Sequence, residues 1–80
     1  MPTVFIQNGY RVSFYSYDLA ERMHVHIFKD RKECKLWLDD LTVEFNHGFK
    51  SQDVAEIRRM IAERRAEIVE RWLEHGRNTD

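Results

Sequence analysis

The residues of this chain best suited to chemistry are two histidines, His24 and His26, separated by one valine in a segment that reads as a β-strand. Because side chains alternate along a strand, both imidazoles lie on the same face. Histidine titrates near neutral pH, and two histidines with a carboxylate are a recognised ligand set for zinc or iron. The spacing fits acid–base work, a metal site or a structural pair. We favour a functional face without a bound metal or cofactor.

The second predicted hairpin decides which carboxylate meets these histidines. Segments 23–29 and 34–39 both alternate apolar and polar side chains. Matching their apolar faces requires an even number of residues in the loop, because a slip of one residue turns every side chain over. A loop over 30–33 meets this condition. The pairs then predicted on the polar face are His24 with Asp39 and His26 with Trp37.

We therefore predict His24, His26 and Asp39 as catalytic residues. Trp37 lies beside them in the predicted register, and Asp18 precedes the strand and is expected to approach it from the loop. These last two are predicted to bind ligand.

Two arginines, Arg58 and Arg65, stand out because they are seven residues apart inside the apolar arc of a predicted helix. Their long stems can carry the charge past apolar neighbours to water or to a carboxylate. Alternatively, a pair of guanidinium groups suits phosphate, carboxylate or a partner protein. We keep both as candidate binding residues.

The elements that must position these residues follow from the pattern along the chain. Asn8-Gly9 predicts a two-residue type I′ turn between two strands. The predicted pairs across this first hairpin are Phe5 with Val12 and Thr3 with Phe14. Strands are expected over about residues 3–39, followed by a connector over 40–50.

One helix is predicted over residues 51–75, with Ser51 as its N-cap, Asp53 in its first turn and Gly76 at its end. We therefore expect a single α+β domain over 1–80. It has a mostly antiparallel sheet of about four strands (two hairpins), with one long C-terminal helix packed on one face. The residues predicted to face the sheet are Val54, Ile57, Ile61, Ile68 and Trp72.

The apolar side of this helix is wide. Four further residues extend it to an arc of about 160°. They are Ala55, Ala62, Val69 and Leu73. Because one small sheet does not need so wide an arc, we expect the chain to form a two-fold homodimer.

Composition limits the function classes. The chain has 80 residues, with 13 Lys+Arg against 14 Asp+Glu and a formal net charge of −1, which argues against binding nucleic acid mainly through a positive field. No apolar run approaches the about 18 residues of a membrane span, and the first residues lack the features of a signal peptide. The single cysteine, Cys34, excludes an internal disulfide. A cytoplasmic protein is expected, with no membrane partner.

Several motifs recur in an order that resembles a family of small bacterial proteins known as a domain of unknown function, number 4160. They are Met-Pro-Thr-Val-Phe, Gly-Tyr-Arg, Phe-Tyr-Ser-Tyr-Asp, His-Val-His, Lys-Leu-Trp-Leu-Asp, Gly-Phe-Lys-Ser and Glu-Arg-Trp-Leu-Glu. The resemblance implies a cytosolic prokaryotic protein, and association with toxin–antitoxin-like gene pairs. The positions that match the family's polar residues are Asp18, His24, His26, Trp37 and Asp39.

Three functions remain open on the sequence. The first is a binding or regulatory protein, homodimeric and paired with a protein partner as in a toxin–antitoxin-like pair. The alternative is a small RNase or hydrolase that uses His24, His26 and Asp39 as an acid–base or metal site. The third is an RNA-binding domain without chemistry. Whether the protein is an enzyme is left open.

Overall fold

A computed structural model of the chain describes residues 3–14 and 21–77. The strands form one antiparallel sheet in the order β1-β2-β3-β4-β5, each paired with the next in sequence. The elements are β1 (Thr3–Gln7), β2 (Tyr10–Ser13), β3 (His24–Lys29), β4 (Lys32–Trp37), β5 (Val43–His47), α1 (Ser51–Glu63) and α2 (Arg65–Arg77). The predicted α+β class is confirmed. The described chain differs in detail, with five strands instead of four and two helices instead of one.

The first hairpin turns at the predicted dipeptide. Asn8 has φ 53° and Gly9 has φ 82°, the two positive values that a type I′ turn requires. Phe5 pairs with Val12, as the two-residue loop predicts. The prediction fails one step further along, where a β-bulge shifts the register. The result is that Thr3 faces Ser13 and not the predicted Phe14.

The second hairpin is tighter than predicted. Its turn holds two residues, Asp30 and Arg31, and Lys29 pairs with Lys32. Asp30 adopts φ 57°, a left-handed conformation that aspartate tolerates better than most residues. A two-residue loop is also even, so each side chain keeps its predicted face, but every cross-strand pair moves by two residues. The observed polar pairs are His24 with Trp37 and His26 with Lys35, and the predicted pairs are wrong.

The predicted connector over 40–50 contains the fifth strand. Before it, the chain turns sharply at Leu41, where φ is 61°, and the Leu41 N–H donates to the Trp37 carbonyl at 2.9 Å. The Trp37 N–H donates in turn to the Thr42 carbonyl at 2.9 Å. This turn returns the chain beside β4, whose outer edge would otherwise be unpaired, and β5 completes the sheet.

The predicted single helix breaks at Arg64. The Arg64 N–H is shared between the carbonyls of Met60 and Ile61, both at 3.2 Å, and the backbone there leaves helical geometry at φ −112° and ψ 18°. The Arg64 side chain is drawn to the sheet, where its guanidinium lies 3.5 Å from the centre of the Phe5 ring. α1 and α2 therefore meet at a residue anchored to β1.

The helical segment begins at Ser51, the predicted first residue, but its N-cap and its end differ from prediction by one and two residues. Lys50 is the N-cap where Ser51 was expected, and its N–H donates to the Asp53 carboxylate at 3.2 Å. The predicted first-turn role of Asp53 is confirmed. α2 continues through Gly76 to Arg77, because Gly76 does not adopt the left-handed φ that ends a helix.

The core lies between the helices and one face of the sheet. The predicted helix positions are confirmed: Ile57, Ile61 and Ile68 are fully buried, Trp72 is buried, and Val54 is partly so. Each of the three fully buried isoleucines contributes roughly 1.5–3 kcal/mol by leaving water. Sequence reasoning did not select two further core members, Met60 and Phe49. The strand residues that line this core include Val12, Val25, Ile27, Cys34 and Leu36.

Candidate functional site

His24 is a packed core histidine. Its exposure is 0%, and its Nδ1–H donates to the Arg22 carbonyl at 2.7 Å. Aromatic rings approach it edge-on, with centroid distances of 5.2 Å to His26, 5.5 Å to Trp37 and 5.3 Å to Trp72. The predicted proximity of the two histidines is confirmed. A ring enclosed in this way serves packing, since a reacting group must reach its substrate.

His26 is oriented by a carboxylate. Its Nδ1–H donates to Oε2 of Glu33 at 3.2 Å, across β3 and β4. This hydrogen bond fixes the tautomer, so the neutral ring carries its lone pair on Nε2. The ring lies between Phe28 and Phe45, each with its centroid 6.3 Å away. Glu33 was missed because the sequence analysis placed it in the loop. The alternation of side chains could not have found it, because loops of two and four residues keep the same faces.

Asp39 does not meet His24. Arg22 holds both oxygens of its carboxylate, with Nε donating to Oδ2 at 2.8 Å and Nη2 donating to Oδ1. The hydrogen bond from Arg22 lowers the pKa of Asp39, which is exposed. Arg22 also reaches Asp40 at 3.3 Å. The predicted constellation of two histidines and this carboxylate is therefore not assembled.

Trp37 lies beneath two cations. The Arg22 guanidinium is 4.6 Å from the centre of its ring, and the Lys35 ammonium is 4.7 Å from it. Lys35 also contacts the Glu21 carboxylate at 3.5 Å. Charges of both signs surround the ring, so this part of the sheet carries no strong field of either sign. Trp37 supports His24 and Arg22 by packing and by cation–π contact.

The remaining predicted binding residues are Asp18, Arg58 and Arg65. Asp18 falls outside the described residues. Arg58 and Arg65 are both exposed, and Arg65 donates to the Asp39 carbonyl at 3.0 Å. The structure thus brings Arg65 to the end of β4 and leaves Arg58 on the outer side of α1.

Two features are absent from residues 3–14 and 21–77. No group of three or more histidine, cysteine, aspartate or glutamate side chains there could hold a metal ion. No helix of that part is long and apolar enough to cross a membrane.

The outer side of the helices carries an open apolar groove that the histidines do not touch. Four apolar residues form its floor, and all are exposed or only partly buried. They are Ala62, Ala66, Val69 and Leu73. Leu73 is 51% exposed. The signal was present in the sequence, because these positions follow the alternating spacing of four and three residues that marks a helix-packing seam. Of these four residues, only Ala66 was absent from the predicted apolar side of the helix.

A second groove joins the first. It is lined by residues that include Met23, Leu38 and Asp39, together with Arg65 and Val69, which line both grooves. The apolar surface therefore extends from the outer side of α2 to the end of β4.

Comparison with known proteins supports a family assignment alone. No match was found among curated proteins or among solved structures. A family model described as a domain of unknown function, DUF4160, matches residues 9–73. That match spans most of the chain, and the resemblance in the sequence motifs is thereby confirmed: the chain belongs to the DUF4160 family.

Proposed function

We propose that this protein is a small binding or regulatory protein, and that it acts through protein–protein association at the apolar groove of its helices. The groove floor of Ala62, Ala66, Val69 and Leu73 carries the proposal. Contiguous apolar surface on a small domain marks an interaction site when it follows one face of a helix. The groove also joins a second apolar depression beside β4, which enlarges the surface available to a partner.

The histidine face gives weaker support to catalysis. His24 is fully buried, and Asp39 is bound by Arg22. Asp39 is therefore engaged by a competing ion pair, and His24, although it lies beside His26, is enclosed by packing. Binding at the apolar groove requires no rearrangement of these three residues.

The occupant we propose is a second copy of the chain, in a homodimer. A helix floor that includes two alanines allows another helix to approach closely, and two-fold association places the same face on both copies. Small domains bury a limited fraction of their surface when they fold, and association adds to that burial.

Multi-angle light scattering and sedimentation velocity test this proposal. We expect the wild-type chain to move from monomer to dimer over the micromolar range. Leu73→Glu places a charge on the groove floor and is expected to remain monomeric. The matched control is Ile6→Glu, because Ile6 lies on β1, is 67% exposed and lines neither groove. A monomeric wild-type chain, or equal loss in both variants, would contradict the proposal.

The resemblance to the family also supports a cytosolic role within a toxin–antitoxin-like pair, with a protein partner encoded beside it. Expression of the neighbouring gene product in a bacterial host, with and without this protein, tests that role. Restored growth on coexpression supports it, and growth that is the same in both cultures contradicts it. The fully buried Cys34 thiol is compatible with a reducing compartment.

One observation favours a second candidate function, a small RNase or hydrolase. The contact between His26 and Glu33 has the carboxylate–imidazole arrangement that orients an acid–base histidine. Incubation of purified protein with RNA, with and without a chelator, tests it. We expect His26→Ala and Glu33→Gln to abolish any cleavage, and His24→Ala serves as the packing control. RNA that is bound in a salt-dependent manner but not cleaved would indicate the RNA-binding alternative.

A further inference from the structure

Three charged side chains line the apolar groove, with Arg65 on one rim and Glu63 and Glu70 on the other. Arg58, exposed on α1, lies seven residues before Arg65 and so continues the arginine rim by helical spacing. None of them makes an ion pair within the part of the chain that the structure describes. This contrasts with Arg64, between the two helices, and Glu67 of α2, which pair at 2.9 Å. The rims therefore present complementary charges that form no ion pair within the described residues.

The spacing of these charges distinguishes two ways of packing a second helix. In a parallel pair of helices in register, the rims pair as the g and e positions of a coiled coil do. A residue on one rim then lies beside the partner residue that is five positions later in sequence, on the opposite rim. Arg58 then meets Glu63, and Arg65 meets Glu70, twice each by symmetry. In an antiparallel pair the glutamate rims would face each other, as would the arginine rims, and like charges repel.

We propose that the second copy docks with its helices parallel to those of the first. Arg58 of one copy pairs with Glu63 of the other, and Arg65 pairs with Glu70, around a seam of Ala62, Ala66, Val69 and Leu73. The proposal rests on the self-association proposed above and specifies its geometry. It also assigns a role to the two arginines that the sequence analysis singled out.

The contact ends at the α1 side, because the next position of the seam is Arg59, which is exposed and would face its own counterpart. Arg65 can keep its hydrogen bond to the Asp39 carbonyl, since a guanidinium has five N–H donors and pairing with Glu70 uses others.

Cysteine cross-linking determines the orientation directly. In the parallel dimer each seam residue faces its own counterpart, so Ala62→Cys alone and Leu73→Cys alone should each form a covalent dimer under mild oxidation. In an antiparallel dimer the two positions face each other, and only a mixture of both variants would cross-link. The native Cys34 is fully buried and does not interfere.

Charge reversal is the second test of the parallel orientation. We expect R58E/R65E to weaken the dimer at least tenfold in Kd by sedimentation, and R58E/R65E/E63R/E70R to recover most of that loss. Circular dichroism checks that the variants fold, which the exposure of all four residues leads us to expect. Cross-linking only in the mixture, with no effect of charge reversal, would overturn the parallel geometry and leave self-association intact. A monomeric wild-type chain would overturn both.

Discussion

The Tyr10 hydroxyl donates a hydrogen bond of 2.8 Å to Oε1 of Glu56 and so joins β2 to α1 across 46 positions of sequence. Burial, and then the carboxylate that accepts this bond, raise the pKa of Tyr10 from 10.0 to about 12. Burial also raises the pKa of the Cys34 thiol from 9.0 to about 12. Both groups thus stay neutral in the folded protein at pH values where they ionise in the unfolded chain.

The first prediction is that the free energy of unfolding falls as pH rises from about 9 to about 12. A group whose pKa is raised by folding contributes stability that is fully present below its unfolded pKa. That contribution is lost as pH rises through the folded pKa. Urea unfolding at a series of alkaline pH values measures the decline.

Tyr10→Phe is the control for this pH dependence. The variant lacks one of the two shifted groups, so its stability should decline less steeply between pH 10 and 12 than that of the wild-type chain. Equal slopes for the two proteins, or a constant wild-type stability over this range, would contradict the contribution of Tyr10.

Much of the fold could be predicted from residue pattern, because local rules and tertiary packing agree there. Asn8-Gly9 has one favoured turn geometry, and the isoleucines of the helices repeat at the helical period. The second hairpin could not be settled in the same way. Loops of two and four residues keep the same faces, so the pattern cannot distinguish them. The choice depends on Asp30 accepting a positive φ, which alternation does not report.

The second prediction concerns Arg64, where the helix breaks. Its guanidinium lies over the Phe5 ring at 3.5 Å, donates to Gln7 at 3.0 Å and pairs with Glu67. Arg64→Ala removes all three contacts and should cost about 1–2 kcal/mol. The matched control is Arg59→Ala on the exposed side of α1, which should change stability by less than about 0.5 kcal/mol. Equal effects of the two substitutions in urea unfolding would contradict this role.

The third prediction concerns Ser13, a buried serine on β2 opposite His26. Its hydroxyl makes no hydrogen bond to any residue that the structure describes. Burying an unsatisfied hydroxyl costs about 1–3 kcal/mol, so Ser13→Ala should raise the free energy of unfolding by about 1 kcal/mol. Ser13→Val tests whether the space around residue 13, and not the hydroxyl, limits the stability. A loss of stability in Ser13→Ala, measured by urea unfolding, would show that the hydroxyl is satisfied.

The candidate site was harder to predict than the fold, because its polar partners come from outside the strand pattern. Arg22 lies just before β3, where no alternation rule applies. It binds the carboxylate of Asp39, which was predicted to meet His24. Glu33 reaches His26 diagonally from the neighbouring strand, and the predicted loop, two residues longer than the observed turn, had placed Glu33 outside the strand. The seam on the outer side of the helices was visible in the sequence, since its period is that of the helix itself.

The fourth prediction compares two neighbouring residues of α1. Ile61 is fully buried against the sheet, whereas Ala62 is exposed on the groove floor. Ile61→Asp removes a buried side chain and places an unpaired carboxylate in the core. The substitution should cost several kcal/mol, which is comparable with the whole stability of a small domain. We expect the variant to be unfolded by circular dichroism at 25 °C.

Ala62→Asp is the matched control, since it introduces the same charge one residue later. It should fold with nearly wild-type thermal stability and should fail to dimerise, because the carboxylate lies in the proposed seam. The pair therefore separates the two sides of the helix in one experiment. A soluble, folded Ile61→Asp protein would show that the buried side has been assigned wrongly. A dimeric Ala62→Asp protein would show that the exposed side is not the contact between copies.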